Sequence, residues 1–376
     1  MKIGIFASDA KGLSILNSLI NELHENNIDY FAMVCQNTQL AKTLEDFSHL
    51  TNVETSEEIW SDTLRINIPF KPDWLVVQRE RWDPETGIIQ EFKNKFNSKI
   101  ALVEQNAQML NSVETILETY SRNRFVPYID VFFDHSKWIS EQRKLVGFEG
   151  NSFVVGNPKY DINLNVSDLH IKTIKEYYGV DDNKKQVLLF SLINTARENL
   201  FNEFEKYIED NPDYQYFIKP YPGEPFGKQF GNEYFPNFRI KNVTPILDEN
   251  HIWPMFSICD IHMGCLSSIF HASLLLKKEI IDFSKEIGMS EKYLDVDRIM
   301  KSTNKGVEDS KGLWMNSFGF TEDSQLLELL PKDLLKKIEE NNTNVWNCQE
   351  NVVSLFDDYN DGKASTRIIK YLKENV

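Results

Sequence analysis

The chain opens on a buried-type run, Lys2-Ile3-Gly4-Ile5-Phe6-Ala7, without polar alternation after Lys2, and then changes period. In "SDAKGLSILNSLINELHENN" (8–27) the residues Leu13, Leu16, Leu19, Ile20 and Leu23 recur at three- and four-residue spacing. That pattern predicts a strand, a turn and an amphipathic helix. Further short apolar runs follow: "IDYFAMVC" (28–35), "DWLVVQ" (73–78), "KIALVE" (99–104) and "IDVFFD" (129–134), with "SFVVGNPKYD" (152–161) closing the half. Strands that are apolar on both faces and alternate with helices predict a parallel sheet covered on both sides.

The alternation restarts near Lys185. A polar helix, "VSDLHIKTIKEYYG" (166–179), leads to the strand "KQVLLFSLI" (185–193). Next come the helix "RENLFNEFEKYIEDNP" (197–212), with Leu200, Phe204 and Ile208 four apart, and the strand "YQYFIKPYP" (214–222). "FRIKNV" (238–243) is a further strand, and 257–283 reads as strand, turn, helix, strand. From Pro331 onward the pattern is mostly helical. The expected fold is α/β, with two Rossmann-like doubly wound domains facing across a cleft, over 1–162 and 163–355, and a C-terminal helix in 356–376. Ligands of such sheets bind at the carboxyl ends of the strands.

Composition narrows the function. The chain has 376 residues and a formal net charge of −16, which opposes a nucleic-acid partner, since phosphate backbones call for basic surface. The four cysteines, Cys35, Cys259, Cys265 and Cys348, form no C-x-x-C pair, so neither a zinc ribbon nor a redox motif is suggested. The first apolar run is too short for a signal peptide, and none is long enough to span a bilayer. The expectation is a reduced, cytoplasmic protein. "STRIIKYLK" (365–373) is the candidate for peripheral contact with a membrane.

Chemistry concentrates at the predicted strand ends. The first loop holds Ser8, Asp9 and Gly12 but lacks G-x-G-x-x-G, so NAD binding is not supported. These residues shape a turn and cap a helix, or they face an acceptor in the cleft. Glu104 ends its strand, where a carboxylate takes a proton from an acceptor hydroxyl if burial raises its pKa; otherwise it is a solvated loop residue. Asp161 follows the turn Gly156-Asn157-Pro158, where it orients substrate, holds the turn or acts as a nucleophile. Arg197 is a cation at a helix start, the wrong end for the macrodipole; it meets an anionic partner there, or it is a plain surface arginine. Lys219 ends a strand before two prolines as a point charge suited to phosphate. Gly264, Ser267, Ser268 and His271 surround a helix start, which either caps itself with serine or holds a phosphate on its free N–H groups.

Taken in order, these pieces resemble GT-B glycosyltransferases. "FDHSKWISEQRKLVGFEGNSFVVGNPKYD" resembles their segment ending in a G-x-P-x-x-D turn, and "VLLFSLINTAREN" the strand and arginine loop that opens their second domain. "YFIKPYP" is similar to their K-x-H-P strand end, and "ICDIHMGCLSSIFHASLLLKKEIIDF" to their nucleotide-binding element of two serines followed by a glutamate. Within that fold the motifs resemble those of the capsule polysaccharide and CDP-glycerol glycerophosphotransferase-like enzymes, including Kdo-type transferases. The likeness covers about half the chain, mainly residues 130–285.

The resemblance implies a metal-independent glycosyltransferase. It would move a sugar from a CMP-, CDP- or UDP-linked donor to a polysaccharide or glycolipid, with no cofactor beyond that nucleotide-sugar substrate. Ser267, Ser268, Lys219 and Arg197 would hold the donor phosphates, and the final helix would cross back to the first domain. Tyr221 stands where the family has histidine, and His271 where it has glutamate. The glycerophosphotransferase His-Gly pair is absent near Glu104, which makes sugar transfer the stronger expectation. Alternatives are a sugar-nucleotide epimerase or hydrolase on the same fold, and a non-catalytic nucleotide-binding or scaffold protein.

Overall fold

Seven parallel strands form the first sheet, in the order β3-β2-β1-β4-β5-β6-β7. They are β1 (Lys2–Ala7), β2 (Asp29–Cys35), β3 (Val53–Ser56), β4 (Trp74–Val77), β5 (Lys99–Val103), β6 (Val131–Asp134) and β7 (Ser152–Val154). The computed structural model describes residues 1–7, 10–35, 53–56, 68–78, 88–103, 128–145, 150–163, 166–190, 197–219, 243–248, 251–264, 270–283, 314–315, 318–319, 353–355 and 357–376. The β4 sequence Trp-Leu-Val-Val is buried throughout. A strand covered on both faces has no polar side, so the run is continuous instead of alternating. Helix α1 (Ala10–Glu25) packs on β1 and β2 through Leu16, Leu19, Ile20 and Leu23, all fully buried. Expectation and structure differ at β3, which the apolar pattern did not signal: "VETS" has a single aliphatic residue.

A second parallel sheet has the order β10-β9-β8-β11-β12. Its strands are β8 (Gln186–Phe190), β9 (Gln215–Lys219), β10 (Val243–Pro245), β11 (Ile261–Gly264) and β12 (Glu279–Asp282). Before it lie α2 (Lys137–Leu145), α3 (Lys159–Asn163) and α4 (Asp168–Tyr178); within it lie α5 (Arg197–Asp210), α6 (Ile252–Ile258) and α7 (Phe270–Leu275). Ser167 caps α4 by accepting from His170 N, and Gly179 ends it at φ 61°. Leu200, Phe204 and Ile208 of α5 pack against Val187, Leu189, Ile218 and Met263. A small antiparallel pair, β13 (Trp314–Met315) and β14 (Phe318–Gly319), completes the described strands. Most of the stretch expected to be helical after Pro331 lies outside the described residues, as does 238–242 of the expected "FRIKNV" strand.

The chain divides into two compact units. One comprises Met1–Gln108, Val113–Ile162 and Ser354–Val376; the other comprises Met109–Ser112 and Asn163–Val353. In the first, helix α8 (Ala364–Glu374) packs on α1 and buries Ile368, Ile369 and Leu372 in the sheet's own core. The apolar face of "STRIIKYLK" is therefore occupied by protein. Among the described residues no helix is long and apolar enough to cross a membrane.

Candidate functional site

Because all strands of the second sheet are parallel, their last residues form one edge. Phe190 pairs with Lys219, and Leu189 pairs with Met263, which puts Gly264 beside Phe190; Gly264 in turn pairs with Asp282. Lys219, Phe190, Gly264 and Asp282 thus stand in a row across β9, β8, β11 and β12. The strand order reverses between β8 and β11, and the crevice beyond such a reversal is where ligands of α/β sheets bind.

Gly264 has a packing reason to be glycine. A Cβ there would lie 3.1 Å from Phe190 Cβ. The Phe190 ring stacks on Phe256 at 5.3 Å and meets Phe270 edge-on at 6.0 Å. From this edge two connections depart. Residues 191–196 lead to Arg197, the first residue of α5, and 265–269 lead to Phe270, the first residue of α7. Arg197 begins α5, the helix that follows β8, and Phe270 begins α7, the helix that follows β11; β8 and β11 are the two strands at the reversal. His271 is the second residue of α7. Ser267 and Ser268 lie outside the described residues. Lys219 is half-buried at its strand end, with Tyr221 outside the described residues.

Beneath the edge, His262 of β11 is fully buried, with Nδ1 2.6 Å from Ser273 Oγ of α7. The Phe190 and Phe256 rings meet the imidazole edge-on at 5.7 and 5.0 Å. Burial pushes its pKa down to about 3, with the Lys278 charge adding to the effect, so the ring is neutral. Neither His262 nor Ser273 stood out in the sequence, where a histidine inside an apolar strand looks like any other interruption.

In the first sheet the order reverses between β1 and β4, where Phe6 pairs with Val77. Ser8 and Asp9 follow β1 directly and lie outside the described residues. Helix α1 already begins at Ala10, so Gly12 belongs to its first turn and does not shape the preceding loop. Glu104 follows Val103, the last residue of β5, and also lies outside the described residues.

Asp161 has a different occupation from the one its turn suggested. Its two oxygens accept from the backbone N–H groups of Ala364 at 2.9 Å and Ser365 at 2.5 Å. It caps the start of α8, where an anion meets the positive end of the helix dipole. Burial raises its pKa, and these hydrogen bonds pull in the opposite direction. A carboxylate missed in the sequence is Asp134, at the end of β6. It is fully buried, accepts from Ser152 Oγ, and has its pKa pushed up to about 7 by burial. Ser140 Oγ lies 3.0 Å from Ser152 Oγ. Among the described residues no three His, Cys, Asp or Glu side chains group as a metal site would require.

No protein-family model and no curated protein matches this sequence. Solved structures do match. UDP-GlcNAc 2-epimerase from Neisseria meningitidis, in a structure with UDP-GlcNAc bound, is similar over 100% of both chains, at 14% identity and a TM-score of 0.61. The Methanocaldococcus jannaschii UDP-GlcNAc 2-epimerase is similar over 100% of both chains, at 16% identity and a TM-score of 0.60. The wall teichoic acid polymerase TagF matches 99% of this chain and 88% of its own, at 12% identity and a TM-score of 0.59. The fold is GT-B. At these identities the similarity is one of backbone architecture.

Proposed function

We propose that the protein is an enzyme acting on a nucleotide-activated sugar, and that the sugar nucleotide itself is epimerised or hydrolysed. The observation that carries this reading is the match to UDP-GlcNAc 2-epimerases along the whole length of both chains. It moves the balance away from the transferase favoured by the sequence motifs alone. The nucleotide sits at the edge made by Lys219, Phe190 and Gly264, where the sheet order reverses. Arg197, Ser267, Ser268 and Lys219 supply donors and positive charge for the diphosphate, and His271 adds a contact from α7. Charge grows on that diphosphate as its bond to the sugar breaks, so fixed donors there lower the barrier.

Inversion of a C–H centre requires a base to remove the proton and an acid to return one on the other face. Glu104 is the candidate for the base that removes the proton; the acid on the other face is not assigned to a residue. Asp161 is assigned a structural role instead, since both of its oxygens already hold α8.

Sugar transfer is the second reading, favoured by the serine-pair motif at 267–268 and by the likeness to TagF. Under it, Glu104 serves as base toward an acceptor hydroxyl, and Ser8, Asp9 and Gly12 lie on the acceptor side. One experiment separates the readings: incubation with UDP-GlcNAc in deuterated water, without acceptor, followed by NMR. Deuterium at carbon 2 or released UDP supports epimerisation or hydrolysis. An unchanged UDP-GlcNAc pool sinks the first reading for that substrate.

A further inference from the structure

The row Lys219, Phe190, Gly264 and Asp282 ends four neighbouring strands of the second sheet. All four residues belong to the second unit. They also share one face of the sheet. The residue before each of them, Ile218, Leu189, Met263 and Ile281, packs in the cluster with Leu200 and Phe204 of α5. Successive side chains of a strand alternate, so the row faces away from α5. That is the side on which Phe270 of α7 meets Phe190. The two ends of the row have opposite chemistry. Lys219 is a cation and donates hydrogen bonds, whereas an ionised carboxylate such as that of aspartate is an anion and accepts them. Three strand spacings separate the two ends, about 14 Å. One extended sugar nucleotide spans such a distance.

Asp282 is an unusual residue for its place. It is 8% exposed at the end of the strand Glu-Ile-Ile-Asp. Parallel strands covered on both faces favour Val, Ile or Leu there. Burying a carboxylate costs free energy that hydrogen bonds must offset. Asp282 has an interaction within the protein, and the two oxygens of a carboxylate offer about four acceptor sites, so a ligand can share it. A carboxylate repels phosphate and takes up hydroxyl donors. We propose that Asp282 is a specificity-determining residue: it accepts hydrogen bonds from the hydroxyls of a sugar ring, while the diphosphate of the same ligand lies toward Lys219. Two rings of a sugar nucleotide carry such hydroxyls, the ribose and the activated sugar, and the chemistry of recognition is the same for both. This inference rests on the nucleotide site proposed above and gives the ligand a direction along that edge.

The test uses the full chain and calorimetry with pyrophosphate, UDP, 2′,3′-dideoxyuridine diphosphate and UDP-GlcNAc. Asp282→Asn keeps the shape and one acceptor but removes the charge that strengthens a hydrogen bond from a hydroxyl. It should weaken binding by about tenfold for every ligand that brings the recognised ring. Pyrophosphate, which has no ring, should bind the variant at least as tightly as the unchanged protein. If the ring is the ribose, UDP and UDP-GlcNAc both weaken and the dideoxy compound does not. If it is the activated sugar, UDP-GlcNAc alone weakens. Unchanged affinity for both UDP and UDP-GlcNAc overturns the proposal while leaving the nucleotide site standing. An equal loss for all the ligands, pyrophosphate included, overturns it as well, because it reports a disturbed fold. Should Asp282→Asn not fold, the unchanged protein still decides. Equal affinity for UDP and its dideoxy analogue, with UDP-GlcNAc bound no more tightly than UDP, overturns the proposal; a preference for either hydroxyl-bearing ligand supports it. If the unchanged protein binds none of these ligands, the site reading fails and the role of Asp282 falls with it.

Discussion

Gly156 and Asp357 are fitted to each other across most of the sequence. Gly156 has φ +89°, and a Cβ on it would lie 2.8 Å from Asp357 Oδ1. The other carboxylate oxygen accepts from Asn157 N at 3.1 Å, and Oδ1 accepts from Tyr359 N and Asn360 N, both at 2.9 Å. Around this contact Ser136 Oγ donates to the Leu355 carbonyl at 2.7 Å, and Arg367 donates to the Val155 carbonyl at 2.9 Å. The segment from Leu355 to α8 is thus tied to the turn that leaves β7. Gly156→Ala should destabilise the first unit by about 1–3 kcal/mol through backbone strain and the clash. Asp357→Ala should cost a similar amount, about 1–3 kcal/mol, by removing the acceptor of the buried Asn157 amide and of the part-buried Tyr359 and Asn360 amide contacts. Urea denaturation followed by tryptophan fluorescence measures both.

Asp161 offers a direct contrast between a structural and a chemical carboxylate. Asp161→Ala removes the anchor of α8 and should cost about 1 kcal/mol, as loss of a helix cap usually does. Asp161→Asn keeps one acceptor and should cost less. Turnover per folded molecule should survive both changes. A loss of turnover without a loss of stability would return Asp161 to the catalytic set.

Asp134 makes stability depend on pH. Its pKa in the folded protein, about 7, lies above the ordinary carboxylate value of 3.8. The folded state therefore holds this proton more tightly than the unfolded chain does. The contribution is fully present below about pH 4, is lost as pH rises toward 7, and is flat above that. At 1.36 kcal/mol per unit the full swing is on the order of 4 kcal/mol. Asp134→Asn stays neutral and keeps an acceptor for Ser152, so it should be more stable than the unchanged protein at pH 8 and similar to it at pH 4. Parallel urea midpoints for the two proteins across that range would contradict this assignment.

Binding and chemistry should separate by mutation. Lys219→Ala and Ser268→Ala should each weaken nucleotide affinity by roughly tenfold, or about 1.4 kcal/mol. Glu104→Gln should leave that affinity intact and lower turnover by roughly 100-fold or more, the usual span for a lost general base. Calorimetry with UDP reads the first effect and initial rates read the second. Full turnover in Glu104→Gln would remove it from the mechanism.

Much of the architecture was legible along the chain because period reports burial. The run at β4 and the 200–204–208 spacing of α5 are local patterns that solvent exclusion imposes on any sheet covered by helices. The cap at Ser167 and the stop at Gly179 were legible for the same reason, since both act within a few residues. β3 was not, because "VETS" is a strand through its pairing with β2 and not through its own apolar content.

Side-chain roles depended on distance in sequence. By itself the chain determined two series of parallel strands and helices, and which residues end the strands, since backbone hydrogen bonding and apolar burial act locally. Only the tertiary structure decided that Asp161 serves α8, that Gly156 makes room for Asp357, and that His262 grips Ser273. In each case a polar group in a dry interior must find its partner wherever the fold brings one, and no local pattern records where that is.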